Sequence, residues 1–206
     1  MPEKWNEPRG VPPSWLNAAC EVPASTPGAP EHGAPFVVAS MRALIDLGCS
    51  EAQAAQVTAN AVNETGWGRS YGAFNLGGWK ITPGHAKAHP NAKWWRAPGN
   101  RSSGDPPWCY YRAFDSLEAF YAEWLTHFVP RPDAEAPPYP GYARTGQIFW
   151  SGGAWFAELI MVGYKGSVTR KRLVDLRAAH RPDSEHPSIR DHESIVRSVL
   201  AMWAKR

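Results

Sequence analysis

The sequence predicts a mainly α-helical domain with a small β-hairpin lobe. Apolar residues recur at helical spacing through most of the chain after Phe36, whereas the stretch 94–112 carries short aromatic runs typical of paired strands. The 206 residues suffice for one well-packed domain, and 43% of them are hydrophobic. Residues 1–35 are rich in proline and lack periodicity. We therefore expect an irregular N-terminal arm at 1–35 and one domain at 36–206.

Two helices are predicted at the start of the domain. The first ends at Gly48, a residue that favours a helix C-terminus. Ser50 and Gln53 have the spacing of a capping box and begin a second helix at about 51–64. Glu64 continues the apolar stripe of this second helix, so a carboxylate lies in line with its buried face. The stripes comprise Val37, Met41, Leu44 and Ile45 in the first helix and Ala54, Val57 and Ala61 in the second.

Residues 65–112 have little periodicity, and we expect irregular chain with short extended pieces there. Within this stretch the segments 94–95 and 108–111 are predicted to pair as a hairpin. Asp115 and Glu118 then have capping-box spacing and predict a helix at 116–128. Its apolar stripe comprises Leu117, Phe120, Tyr121, Trp124, Leu125 and Phe128.

Four further helices are predicted in the C-terminal third. They are short helices at 145–150 and 154–162, a basic helix at 168–179 and a final helix at about 189–204. The basic run at 165–177 is expected to form an exposed helix face. His180, His186 and His192 fall in a polar stretch and are expected to be solvated.

Composition restricts the classes of function. The net charge of +3 is too small to indicate nucleic-acid binding, although it favours approach to an acidic polymer such as a cell wall. The three cysteines, Cys20, Cys49 and Cys109, form no Cys-x-x-Cys pair, so neither a disulfide framework nor a zinc site is predicted. His85 and His89 have a ligand-like spacing but lie among proline and glycine, and we expect no metal and no cofactor. No apolar run is long enough to predict a membrane span.

Glu64 is the candidate catalytic group. A turn rich in glycine and tryptophan follows it at once. Hydrolysis of a glycosidic bond needs an acid that protonates the leaving oxygen. An apolar helix face, the neighbouring Trp67 and the negative end of the helix macrodipole would each favour a neutral Glu64. Gly66 and Gly68 leave room for a substrate. On pattern alone, a solvated glutamate at a helix end is an equally good interpretation.

Four segments occur in series between residues 36 and 175: Glu-Thr-Gly-Trp-Gly-Arg-Ser, Phe-Asn-Leu-Gly-Gly-Trp-Lys, Tyr-Arg-Ala-Phe-Asp-Ser-Leu-Glu-Ala-Phe and Gly-Tyr-Lys-Gly. Together they resemble the bacterial glucosaminidases of glycoside hydrolase family 73, which include the flagellar muramidase and wall autolysins. The resemblance implies a lysozyme-like, α-rich fold, cleavage of the peptidoglycan glycan strand, and Glu64 as general acid. It also matches Tyr164 to a cleft-lining tyrosine and Asn75 to the asparagine of the Asn-Leu segment. A core aromatic and a turn-shaping amide are the alternative roles of these two residues.

The second catalytic group stays open. Glycosidases generally use two carboxylates, and Asp105 is the acidic residue between Lys80 and Arg112. Asp105 is either the catalytic base or an ordinary turn residue. Without it, the substrate's acetamido group could act as nucleophile, Tyr164 could position a water, or intramolecular attack could make the enzyme a lytic transglycosylase.

Aromatic side chains are expected to contact the sugar rings. We predict that Trp67, Trp79 and Tyr111 bind the substrate together with Asn75. Packing in the core is the other interpretation of Trp79.

These inferences predict a peptidoglycan glycan-strand hydrolase, an N-acetylglucosaminidase or muramidase that degrades the cell wall as a phage lysin or a secreted antibacterial effector. The alternatives are a lytic transglycosylase, a non-catalytic peptidoglycan-binding module, and a structural protein with a lysozyme-like fold. Residues 1–18 lack the apolar core of a signal peptide, so we expect delivery to the periplasm or cell wall by a phage or a dedicated secretion route. Expected partners are the glycan strand and, for an effector, a cognate immunity protein or delivery machinery. We expect no nucleic acid, no membrane span and a monomer.

Overall fold

The computed structural model describes residues 11–99, 104–133 and 140–206. Of the described residues 53% are helical, and these residues form eight α-helices and one two-stranded antiparallel sheet. The predicted α-rich fold with a small β hairpin is thus confirmed. In chain order the elements are α1 (Ala34–Asp46), α2 (Glu51–Thr65), α3 (Pro83–Ala88), β1 (Trp94–Pro98), β2 (Trp108–Arg112), α4 (Leu117–Phe128), α5 (Ala143–Trp150), α6 (Trp155–Met161), α7 (Ser167–Ala178) and α8 (Pro187–Trp203).

The chain divides into two compact units, with the boundary inside α4. We call Met1–Ala29 with Arg69–Phe120 the hairpin unit, and Pro30–Gly68 with Tyr121–Arg206 the helical unit. The proposed division into an arm at 1–35 and a domain at 36–206 stays a prediction.

Helix α2 is the centre of the helical unit and packs against α1 and α8. The predicted capping box is present: the Ser50 hydroxyl accepts from Gln53 N at 3.3 Å, and the Gln53 side chain accepts from Ser50 N at 2.8 Å. The Gln53 amide also donates to Phe149 O at 2.8 Å, which ties α2 to α5. Because α2 is rich in alanine, neighbouring helices approach it closely and bury it on several sides.

Helix α8 corrects one prediction about the histidines. His186 and His192 are buried rather than solvated. His186 is the N-cap of α8, where its Nδ1 accepts from Ser188 N at 3.2 Å. His192 shares the packed face of α8 with Ile189, and its ring stacks on Phe156 with 3.8 Å between ring centroids. The imidazoles therefore fill core positions and keep a polar contact to backbone.

The hairpin unit is built on β1 and β2, paired in register from Trp94 with Arg112 to Pro98 with Trp108. Trp94 is fully buried in a cluster with Leu16, Ile81 and Ala86. The described part of the N-terminal arm supplies Leu16 to this cluster, and its Glu21 accepts from Arg96 at 2.8 Å. Hydrogen bonds also hold the arm segment 11–29, since Trp94 Nε1 donates to Asn17 O and Val22 N donates to Trp94 O, both at 2.8 Å. Of the two tryptophans expected to anchor the arm, Trp15 packs edge-on against Tyr110 with 6.3 Å between ring centroids, and Trp5 lies outside the described residues.

Two local predictions in the hairpin unit are wrong. Helix α3 begins at Pro83, in a stretch predicted to be irregular; the Thr82 hydroxyl caps it by accepting from His85 N at 3.2 Å. The cap of α4 is Ser116 rather than Asp115, because the Ser116 hydroxyl accepts from Ala119 N at 3.1 Å. Asp115 instead pairs with a lysine on the surface. A cap one residue later gives the same helix, so α4 itself was predicted correctly.

Among the described residues, no helix combines the length and apolarity needed to cross a membrane. The same residues contain no group of three or more His, Cys, Asp or Glu that could hold a metal ion. Cys20, Cys49 and Cys109 are free thiols.

Candidate functional site

The end of α2 is fixed by a turn of three left-handed residues, Gly66, Trp67 and Gly68. Trp67 has a φ of 64°, which is uncommon for a residue with a side chain. Thr65 stabilises the turn, since its hydroxyl donates to Ala61 O at 2.8 Å and accepts from Gly68 N at 2.9 Å. The turn ends the helix at Thr65, one residue after Glu64, and leaves the half-buried Trp67 three residues beyond Glu64.

Glu64 has a cationic partner within the helical unit. Its carboxylate forms an ion pair with the ammonium of Lys165, in the loop between α6 and α7. The Glu64 side chain is 34% exposed and that of Lys165 17%, so the pair lies at the edge of the packed core. The predicted apolar surroundings of Glu64 are therefore wrong in one respect, because its carboxylate faces an ammonium group.

Tyr164 lies next to this ion pair. Asn60, one turn before Glu64 on α2, donates its amide to the Tyr164 hydroxyl at 2.8 Å. Burial first, and then the negative charge of Glu64, raise the pKa of the Tyr164 hydroxyl to about 12. The hydroxyl is thus neutral at pH 7 and cannot serve as a base. Because its oxygen accepts from Asn60, its own hydrogen can be donated to another group.

A cavity of about 160 Å³ lies beside the ion pair within the helical unit. Lys165, Asn60, Asp191 and His192 are among its lining residues. The Oδ1 atom of Asn60 is buried and has no hydrogen-bond partner among the described residues. The imidazole Nε2 of His192 donates to Gln56 O at 3.0 Å. Burial first, and then the charge of Lys165, lower the pKa of His192 to about 4, so this ring is neutral at pH 7.

Asn75 and Trp79, predicted to bind substrate, belong to the hairpin unit. The Asn75 amide donates to Trp79 O and to Arg112 O, both at 2.9 Å, and its oxygen accepts from Trp79 N at 2.9 Å. Asn75 is 2% exposed, so it serves to hold the turn. The half-buried Trp79 packs against Phe120 and carries the Arg112 guanidinium 5.0 Å above its ring.

Asp105 and Tyr111 also belong to the hairpin unit and lie near each other. Asp105 accepts a hydrogen bond from Lys80 at 3.0 Å. That bond is the main cause of the raised pKa of Lys80. Tyr111 stacks on Trp95 with 4.9 Å between ring centroids. The proposed base thus has a cationic partner of its own, and one face of the Tyr111 ring is occupied by an indole.

The predicted site residues therefore fall into two groups. Glu64, Tyr164 and Trp67 are in the helical unit, where Lys165, the neighbour of Tyr164, pairs with Glu64 although about 100 positions separate the two segments in the chain. Asn75, Trp79, Asp105 and Tyr111 are in the hairpin unit.

Sequence reasoning missed Lys165 and Asn60. Each has a local signal: Asn60 precedes Glu64 by four residues on the same helix face, and Lys165 follows Tyr164 directly. Trp95, which stacks on Tyr111, was predicted as a strand residue and not as part of a site.

Comparisons of the chain with protein-family models, with curated proteins and with solved structures find no match. The resemblance to the glucosaminidases therefore stays a prediction that depends on the four segments quoted above.

Proposed function

We propose that the protein is a glycoside hydrolase that cleaves the glycan strand of peptidoglycan, with Glu64 as general acid. The observation that carries the proposal is that the end of α2 holds both segments: Asn60 of α2 donates to the Tyr164 hydroxyl at 2.8 Å, and Lys165, the next residue in the chain, pairs with Glu64. The four-segment resemblance pairs a helix-terminal glutamate with a late tyrosine, and these two contacts bring the two segments together. The fold thus brings together two segments that the resemblance links and that lie far apart in the sequence. This supports the proposal.

The chemistry of the cluster fits an acid and a neutral hydrogen-bond donor. Glu64 protonates the leaving oxygen, and Tyr164 donates to the attacking water or to the substrate's acetamido group. Asn60 holds the Tyr164 oxygen in place, so the donated hydrogen has a fixed origin.

A non-catalytic peptidoglycan-binding module is the second candidate. One observation favours it: the carboxyl group that would have to donate the proton is occupied by an ion pair with Lys165. A protein that only binds glycan would keep this ion pair permanently.

Digestion of purified sacculi separates the two candidates. We expect the wild-type protein to release muropeptides and Glu64→Gln to release none, while Glu193→Gln, an equal charge change on an exposed position of α8, behaves as wild type. A reducing-end GlcNAc identifies a glucosaminidase, a reducing-end MurNAc a muramidase, and an anhydro end a transglycosylase. Binding of sacculi without cleavage, unchanged in Glu64→Gln, would instead identify a binding module.

A further inference from the structure

We infer that Lys165 selects the substrate class of the proposed site. Its ammonium exchanges the Glu64 carboxylate for a carboxylate of an acidic glycan strand, and this exchange releases Glu64 for catalysis. The inference rests on the function proposed above and adds a specificity determinant to it.

The ion pair covers the reactive end of Glu64. The Lys165 ammonium contacts the Glu64 carboxylate and also lies 5.1 Å from the centroid of the Tyr164 ring. Gly163 and Gly166 flank the Tyr164–Lys165 dipeptide with φ values of 95° and 85°, a left-handed backbone that glycine adopts without strain. These two turns direct both side chains toward the end of α2. A sugar that approaches Glu64 therefore meets Lys165.

The free energy needed to separate Lys165 from Glu64 depends on the charge of the substrate. A neutral glycan must separate Lys165 from Glu64 and leave an ammonium without a counter-ion at a site where only 17% of its side chain is exposed. Leaving a largely buried ammonium without its counter-ion is unfavourable. A strand that bears carboxylates replaces one anion by another at the same ammonium. Peptidoglycan carries carboxylates on its stem peptides, whereas chitin is neutral.

The proposed reaction takes one proton from solvent and returns one proton to it. Released from Lys165 and covered by sugar, Glu64 takes up one proton from solvent, because desolvation disfavours its anion. It gives that proton to the glycosidic oxygen as the C–O bond breaks. Water adds to the anomeric carbon and returns one proton to solvent. When the product leaves, Lys165 pairs with the Glu64 carboxylate again.

Asp191 offers Lys165 a competing partner inside the protein, since both residues line the 160 Å³ cavity. An internal transfer of Lys165 from Glu64 to Asp191 would not depend on charges of the substrate. The two routes are separated by changing either the substrate or Asp191. His192, which lines the same cavity, is neutral at pH 7 and does not add a cation to it.

The test compares native sacculi with sacculi whose carboxylates have been amidated, which neutralises the strand and leaves the glycan unchanged. Initial rates of reducing-end release are measured for wild type, Lys165→Gln and Lys165→Arg. Lys171→Gln, which removes a lysine from an exposed ion pair on α7, is the matched control. We expect wild type, Lys165→Arg and Lys171→Gln to prefer native sacculi by roughly tenfold or more, as expected for one hydrogen bond between charged groups. In Lys165→Gln the preference should fall to about one.

Several outcomes would overturn the assignment of Lys165. Equal wild-type rates on the two substrates, or an unchanged preference in Lys165→Gln, would refute it. A folded Lys165→Gln that is inactive on both substrates would make Lys165 part of the proton transfer itself. Equal wild-type rates together with inactivity of Asp191→Asn would assign the exchange to Asp191. If wild type cleaves no native sacculi, or if Glu64→Gln cleaves them equally well, the proposed function itself fails. The wild-type comparison alone is decisive if Lys165→Gln does not fold.

Discussion

Protonation of His192 should limit the stability of the protein in acid. His192 is 6% exposed, and its pKa is lowered to about 4 from 6.5, first by burial and then by the charge of Lys165. The unfolded chain thus binds a proton at a higher pH than the folded protein does. Stability from this residue is complete above pH 6.5 and is lost as the pH falls toward 4. At about 1.4 kcal/mol per pKa unit, the full loss is about 3 kcal/mol.

Chemical denaturation at several pH values measures this loss. We compare the free energy of unfolding between pH 7.5 and 4.5 for wild type and His192→Gln, a substitution that keeps an N–H donor but cannot titrate. The other histidines and the carboxylates titrate in both proteins, so the difference isolates His192. We expect wild type to lose roughly 2 to 3 kcal/mol more than His192→Gln over this interval. Equal losses of unfolding free energy in the two proteins would refute the inference that His192 is buried in its neutral form.

Two further predictions concern turns, one in each unit. Gly68→Ala would place a Cβ 2.6 Å from Cγ of Phe36 at a left-handed φ, and we expect it to lower the free energy of unfolding by roughly 2 to 3 kcal/mol. Gly66→Ala, left-handed but with open space around it, should cost only about 1 kcal/mol; equal losses would contradict the close packing. Asn75→Ala removes three hydrogen bonds, including two to the backbone of Trp79, and should cost roughly 2 to 4 kcal/mol in denaturant titrations. A loss below 1 kcal/mol would show that Asn75 is not what holds the turn.

Local signals in the sequence predicted most helices because the relevant interactions lie within one or two turns. The Ser50–Gln53 capping box is such an interaction, and so is the apolar stripe of α4. The predicted cap at Asp115 was one residue early because Asp115 and Ser116 are both good caps, and the pattern does not rank them. Helix α3 was missed because six residues are too few to show a period.

The failures at the candidate site have a different origin. His192 was predicted to be solvated because histidine is counted as polar, yet the stacked ring of Phe156 and one backbone carbonyl satisfy it in the core. Glu64 was predicted to have apolar surroundings because its own helix is apolar. Its partner, Lys165, comes from a loop about 100 residues later, and no periodicity within α2 contains that information. Sequence patterns thus identified the carboxylate but not its counter-ion.

The leaving group of a synthetic substrate tests the central claim most directly, because a general acid is needed only when the departing oxygen is poorly stabilised. We expect Glu64→Gln to lose activity on natural glycan but to retain it on a dinitrophenyl glycoside of the same sugar, whose phenolate departs without a proton. Glu193→Gln should keep both activities. Equal loss by Glu64→Gln on both substrates, or no loss on natural glycan, would contradict the proposal that Glu64 donates a proton.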